Sequence, residues 1–129
     1  MNPHHAFRTA VEAGDAAAAT ATFHPDATLH SPAVFEPYAG RETIGLLLGV
    51  LLDVFEDFRY TDEFEAPDGT RALLFRARVD DRELQGLDVL RFDEAGRITD
   101  LTVMIRPHTG LEALMRAVAP RLAAARKPS

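Results

Sequence analysis

The spacing of apolar residues along this chain changes character partway through, and each spacing predicts a different element. Over residues 3–12 the apolar side chains Phe7, Ala10 and Val11 recur at the three and four spacing of one helical face. Gly14 follows where a left-handed residue ends a helix, and Asp15 then caps a second, short helix through Thr22. The segment Phe23-His24-Pro25-Asp26 breaks the helical pattern. Residues 27–31 read as a short strand, followed by a loop at 32–37 punctuated by Pro32 and Pro37. Residues 40–55 form a third helix that is apolar on nearly all sides, so more than one surface must cover it. The mouth of a curved sheet is the place for such a helix.

From Phe58 onward the period is two. Phe58, Tyr60 and Phe64 alternate with Arg59, Thr61 and Glu63, and Pro67-Asp68-Gly69 supplies a turn. Residues 72–79, 83–92 and 97–106 make three more strands. The tight connections Asp80-Asp81 and Asp93-Glu94-Ala95-Gly96 predict antiparallel neighbours. Thr109-Gly110-Leu111-Glu112 has the form of a capping box and opens a final helix, with Leu111, Leu114, Met115, Val118 and Leu122 on one side and a kink expected at Pro120. Helices, then a run of strands, then one more helix define an α+β fold, and the absence of repeats or linkers predicts a single domain over 1–129.

Composition narrows the function. At 47% hydrophobic and 129 residues there is material for one core. The absence of cysteine excludes a disulfide framework and a thiolate zinc site. The most apolar stretch, 44–55, is interrupted by Gly49 and Asp53 and falls short of the roughly 20 residues that span a bilayer. With no signal-peptide pattern after Met1, a cytoplasmic, bacterium-like setting is expected. Twenty acidic against 14 basic residues, a formal charge of -6, argue against nucleic acid as a partner. The basic end, Arg121, Arg126 and Lys127, complements a helix terminus. His4 and His5 are adjacent rather than a turn apart, and His24, His30 and His108 lack ligand spacing, so no metal or cofactor is expected. No phosphate loop or nucleophile elbow is present.

The segments Glu12-Ala13-Gly14-Asp15, Asp26-Ala27-Thr28-Leu29-His30-Ser31-Pro32, Gly40-Arg41-Glu42-Thr43-Ile44 and Leu87-Asp88-Val89-Leu90-Arg91-Phe92-Asp93-Glu94-Ala95-Gly96-Arg97-Ile98 resemble the nuclear transport factor 2-like superfamily, in its SnoaL-like and ketosteroid-isomerase-like branches. The resemblance runs from about Phe7 to Ile105. It implies a cone: a curved antiparallel sheet with N-terminal helices packed on its concave face and a C-terminal helix. Activity is less specified, because this superfamily hosts isomerases, cyclases, epoxide hydrolases and dehydratases. The isomerases' buried, protonated aspartic acid, which donates to a developing oxyanion, falls on Asp88. Their general-base aspartate falls on Ser31 and their oxyanion-hole tyrosine on Phe7. Neither residue type is kept, so steroid isomerisation by the family's mechanism is not supported.

Strand parity places Asp88 with Leu84, Gly86, Leu90 and Phe92 on one face. Leu73, Phe75 and Ala77, with Leu101, Val103 and Ile105, share that face. An apolar setting raises a carboxyl pKa, which makes Asp88 a candidate general acid or hydrogen-bond donor. His30 is the most available base near neutral pH, beside the proline loop. Since Ser31 holds the family's base position and alternate strand residues face opposite ways, an irregular strand end is needed to turn His30 inward. Phe7, Ser31, Tyr38, Phe75, Leu90, Val103 and Ile105 are the candidate ligand contacts. Glu36 lies in the same loop as Tyr38, and Phe35, Phe55 and Phe58 either wall a cavity or fill the core.

Such a lining suits a small hydrophobic molecule with one carbonyl or hydroxyl. Acid/base chemistry of isomerase, cyclase or lyase type is one reading, a binding module without a working base is a second, and a dimerisation or accessory domain with a filled core and no pocket is a third. The opposite sheet face carries Leu74, Leu87, Val89, Thr102 and Met104 among Arg76, Arg78, Arg91 and Arg106. This predicts a two-fold dimer through that face unless the C-terminal helix folds back over it.

Overall fold

A computed structural model describes residues 3–126. After a 3-10 turn at Pro3–His5 come α1 (Ala6–Glu12) and α2 (Ala16–Ala21), then β1 (Phe23–His30), β2 (Tyr38–Ala39), α3 (Arg41–Val54), β3 (Glu56–Glu65), β4 (Arg71–Val79), β5 (Arg82–Phe92), β6 (Ile98–Arg106) and α4 (His108–Arg126). Local chemistry accounts for several of these boundaries. Gly14 takes a positive φ of 69°, which lets the chain reverse after α1. The Asp15 side chain accepts the Ala18 N–H at 3.0 Å and caps α2.

One curved sheet in the order β2-β1-β6-β5-β4-β3 carries the architecture. The long strands pair antiparallel as their tight turns require, but β1 runs parallel to β6. Their connection spans α3 and four strands, β2 to β5, a separation that adjacent-strand reasoning does not address. β1 also starts earlier than its pattern suggests, at Phe23, because Phe23 pairs with Ile98 at the start of β6, ahead of an irregularity between Phe23 and Thr28.

The helices pack on the concave face. Phe7, Ala10 and Val11 of α1 and Ile44, Leu47 and Leu48 of α3 meet the inward side chains Leu29, Leu73, Phe75, Leu90 and Leu101, all buried. Each large apolar side chain so buried contributes roughly 1.5–3 kcal/mol. The expected capping box of α4 does not form. The helix begins two residues earlier, with Leu111 N–H bonded to the Pro107 carbonyl, so Thr109 is already inside it; Glu112 instead pairs with His108 and Arg116. The helix continues through Pro120 to Arg126, whose guanidinium lies 5.4 Å from the Tyr38 ring centre. Lys127 lies outside the described residues.

One departure from strand parity matters for the site. Tyr60 pairs with Phe75 but Asp62 pairs with Leu74, so β3 carries one extra residue at Thr61, a bulge. Beyond it the faces exchange. Phe64, expected beside Tyr60, is half exposed, and Glu63 turns inward to Arg71. Arg71 is itself buried on the concave face, bonded to Glu63 and to Glu65 at 3.3 Å. A charged arginine there requires such a partner, and the bulge brings one.

Candidate active site

Between the concave face, α1, α3 and α4 lies a cavity of about 260 Å³. Its wall is almost wholly apolar, built from residues such as Val11, Leu48, Phe58, Phe75, Leu114 and Val118. Asp88 enters from β5, flanked across the strands by Leu73 and Val103. It is 6% exposed. Tyr60 of β3 donates its hydroxyl to Asp88 Oδ2 at 3.0 Å, and no other described side chain bonds to the carboxyl group.

The electrostatics follow from that isolation. Burial pushes the Asp88 carboxyl up from 3.8 to about 7, and the Tyr60 hydrogen bond pulls against the rise. Burial likewise holds the Tyr60 hydroxyl well above the usual phenol range, and the neighbouring Asp88 charge adds to it. The Arg8 guanidinium stands 5.5 Å from the Tyr60 ring centre and works weakly in the opposite sense. Glu12 at 3.3 Å and Glu63 at 3.1 Å hold Arg8 there. An acid with a pKa close to neutrality gives up and regains a proton at similar cost, which suits proton transfer.

The candidate residues divide. Phe7, Ser31, Tyr38, Phe75, Val103 and Ile105 all line the cavity with Asp88, as do Phe55 and Phe58. Leu90 does not: it pairs with Arg71 and lies at 1% exposure in closed core. His30 is also outside. β1 stays regular to its end, so Leu29 points in while His30 points out, where its Nε2–H donates to Asp100 Oδ1 at 2.8 Å. Ser31 turns its hydroxyl to its own loop, accepting the Ala33 and Val34 N–H groups at 3.3 Å. Phe35 is 99% exposed and Glu36 is exposed. Among the described residues no group of three or more His, Cys, Asp or Glu side chains gathers as a metal site.

Tyr60, which lines the cavity and bonds to Asp88, was not among the candidate site residues. Its inward parity with Phe58 was visible, but its bond to Asp88 crosses two strand pairings. Phe7 packs edge-on to Phe23 at 5.8 Å, and the phenol facing Asp88 comes from β3.

Comparison with known proteins accords with this geometry. Residues 4–101 match the SnoaL-like domain, and the chain belongs to that family, within the nuclear transport factor 2-like superfamily. It is similar to the crystal structure of a steroid delta-isomerase from Pseudomonas aeruginosa, at 39% identity over 96% of this chain and 94% of that one, with a TM-score of 0.89. An uncharacterized protein with a cystatin-like fold from Silicibacter pomeroyi is 28% identical over 94% of this chain and 86% of that one, with a TM-score of 0.87. The epoxide hydrolase/cyclase-like enzyme SalBIII, which takes part in pyran ring formation in salinomycin, shares the fold at 19% identity, with a TM-score of 0.67 over 82% of this chain and 88% of that one. No curated protein matches the chain significantly.

Proposed function

We propose that the chain binds a small, largely apolar molecule carrying one ketone oxygen and moves a proton on it, in an isomerase-type reaction with Asp88 as the proton carrier. The observation that carries this reading is the Tyr60–Asp88 pair, a single hydrogen-bonded carboxyl group set in an apolar cavity. The steroid delta-isomerase likeness, at 39% identity, supports the reaction class.

With His30 on the outer face, Asp88 must serve as base as well as acid. In a β,γ-unsaturated ketone its carboxylate takes the proton from the carbon between carbonyl and double bond, leaving a dienolate. The same proton returns to the γ carbon, the double bond moves into conjugation, and the carboxylate is regenerated. One group suffices, and no water or second reactant is consumed. Tyr60 steadies the carboxylate before the first transfer and after the second, and among the described residues the hydroxyls left in the lining to meet the dienolate oxygen are those of Tyr38 and Ser31.

The test is incubation with β,γ-unsaturated ketones of one to four rings, following the absorbance of the conjugated product. Conversion is expected, with Asp88→Asn slower by about 10²–10⁴-fold. A non-catalytic binding role is favoured because, among the described residues, the lining holds no second carboxylate and no imidazole. Tight binding with every ketone recovered unchanged establishes that role instead.

A two-fold dimer through the outer sheet face completes the proposal. The C-terminal helix lines the cavity through Leu114 and Val118, on the concave side, and Met104 stands 58% exposed on the other, where Arg76 is also exposed. Sedimentation at micromolar concentration is expected to give twice the chain mass; a monomer overturns this part. Among the described residues no helix is long and apolar enough to cross a membrane.

A further inference from the structure

Gly86 faces Phe75 across β5 and β4, one inward position from Asp88. A carbon added at Gly86 would stand 2.1, 2.4 and 2.7 Å from Cζ, Cε2 and Cε1 of the Phe75 ring. Carbon atoms rest at about 3.5–4.0 Å, so a methyl group there and the present ring cannot coexist. The far end of the ring therefore lies on the bare backbone of β5.

Conformation does not call for glycine at this position. The pairings Phe75 with Gly86, Leu74 with Leu87 and Leu73 with Asp88 run without a break, and Gly86 is not among the glycines with positive φ. Glycine inside a strand weakens it and commonly marks a close approach. What it supplies here is depth. Phe75 lines the cavity and Gly86, beneath the ring, does not. The ring has little other space to occupy: Phe58 stacks on it at 4.9 Å and 26°, with Phe55 at 6.0 Å and Tyr60 edge-on at 6.3 Å. Anything larger than hydrogen at position 86 drives the ring into the cavity beside Asp88, or against the tyrosine that holds Asp88.

We propose that Gly86 determines ligand selectivity: by letting Phe75 lie flat on β5 it opens room beside Asp88 for a ring system, so the cavity takes cyclic apolar ketones in preference to open-chain ones of equal carbon number. This rests on the apolar-ligand reading above but not on any proton transfer. A flat aromatic wall meets the face of a ring over its whole area. A flexible chain gains less from the same depth and loses more conformational freedom when held there.

Calorimetric titration of the full chain with 2-decalone and 2-decanone, bicyclic and linear ketones of ten carbons, tests the proposal. The parent is expected to favour the bicyclic ketone. Gly86→Ala is expected to weaken bicyclic binding tenfold or more while altering linear binding less than threefold. The double variant Gly86→Ala with Phe75→Leu is expected to restore the bicyclic ligand. Folding of each variant is checked by near-ultraviolet circular dichroism. Should Gly86→Ala fail to fold, Phe75→Leu alone is expected to admit a tricyclic ketone that the parent binds weakly. An unchanged ring-to-chain preference in folded Gly86→Ala, no rescue in the double variant, no widening in Phe75→Leu, or no binding of either ketone to the parent overturns the proposal. Binding with the expected selectivity but without conversion of any unsaturated ketone fails only the acid/base reading.

Discussion

Asp88 and Asp100 stand on neighbouring strands of one sheet, yet they face opposite ways into different chemistry. Asp100, on the outer face, accepts from Thr28 at 2.7 Å, from His30 at 2.8 Å and from Thr102 at 3.3 Å, and its side chain is a quarter exposed. Asp88, on the inner face, is buried and among the described side chains accepts from Tyr60 alone. The carboxyl with many partners and access to water looks more like a catalytic cluster on paper, with a histidine beside it. The carboxyl with one partner is the one whose proton is poised near neutral pH. Isolation from water, more than the number of polar neighbours, decides which acid is chemically available.

Three measurements sharpen that contrast. The largest effect concerns stability. Asp88 is pushed up from 3.8 to about 7, so between those values the folded chain keeps a proton that the unfolded chain has lost. The stability it supports is therefore full at low pH and declines as pH rises through that window. Asp88→Asn removes the decline: relative to the parent it should gain roughly 2–4 kcal/mol between about pH 4 and about pH 8, read from urea midpoints. At Asp100, where three side chains donate to the carboxylate, the same substitution should cost stability instead of adding it. Equal behaviour at the two positions ends the contrast.

Next, Tyr60→Phe deletes the one bond that lowers the Asp88 pKa. The carboxyl carbon of Asp88, followed by carbon NMR, should titrate higher than in the parent by about one unit, the scale of one lost hydrogen bond. A downward move would mean that burial is not what raises it.

The smallest effect belongs to the outer face. His30 is about two-fifths exposed beside Asp100, so His30→Gln should cost less than about 1 kcal/mol and leave ketone binding unchanged. Lost binding in that variant would return His30 to the site.

Much of this was legible in the residues because each inference stayed within one element. Alternation along 83–92 placed Asp88 with Leu84 and Gly86 on the buried face, and the same alternation along β1 set His30 opposite Leu29. Asp15, Gly14 and the hairpin turns carry their geometry in their own side chains or in the lack of one. Tyr60 was visible only as one inward aromatic among several. Its pairing with Asp88 depends on the register of β3 on β4 and of β4 on β5, and on a bulge at Thr61 that no local pattern announces. Phe64 was misplaced for that reason, and Leu90 failed to reach the cavity because Arg71 and its partners close the sheet there.

The order of elements, the SnoaL-like fold and the inward carboxyl were thus set by periodicity, caps and motif, all of which act over a few residues. The parallel seating of β1 on β6, the phenol that meets Asp88 and the ring that rests on Gly86 were decided by tertiary structure. The first two join residues distant in the chain and the third joins two strands of a hairpin, and in each the contact depends on how whole strands align. A one-residue change of register moves a side chain to the other face, so the site's chemistry is fixed only once the sheet is assembled.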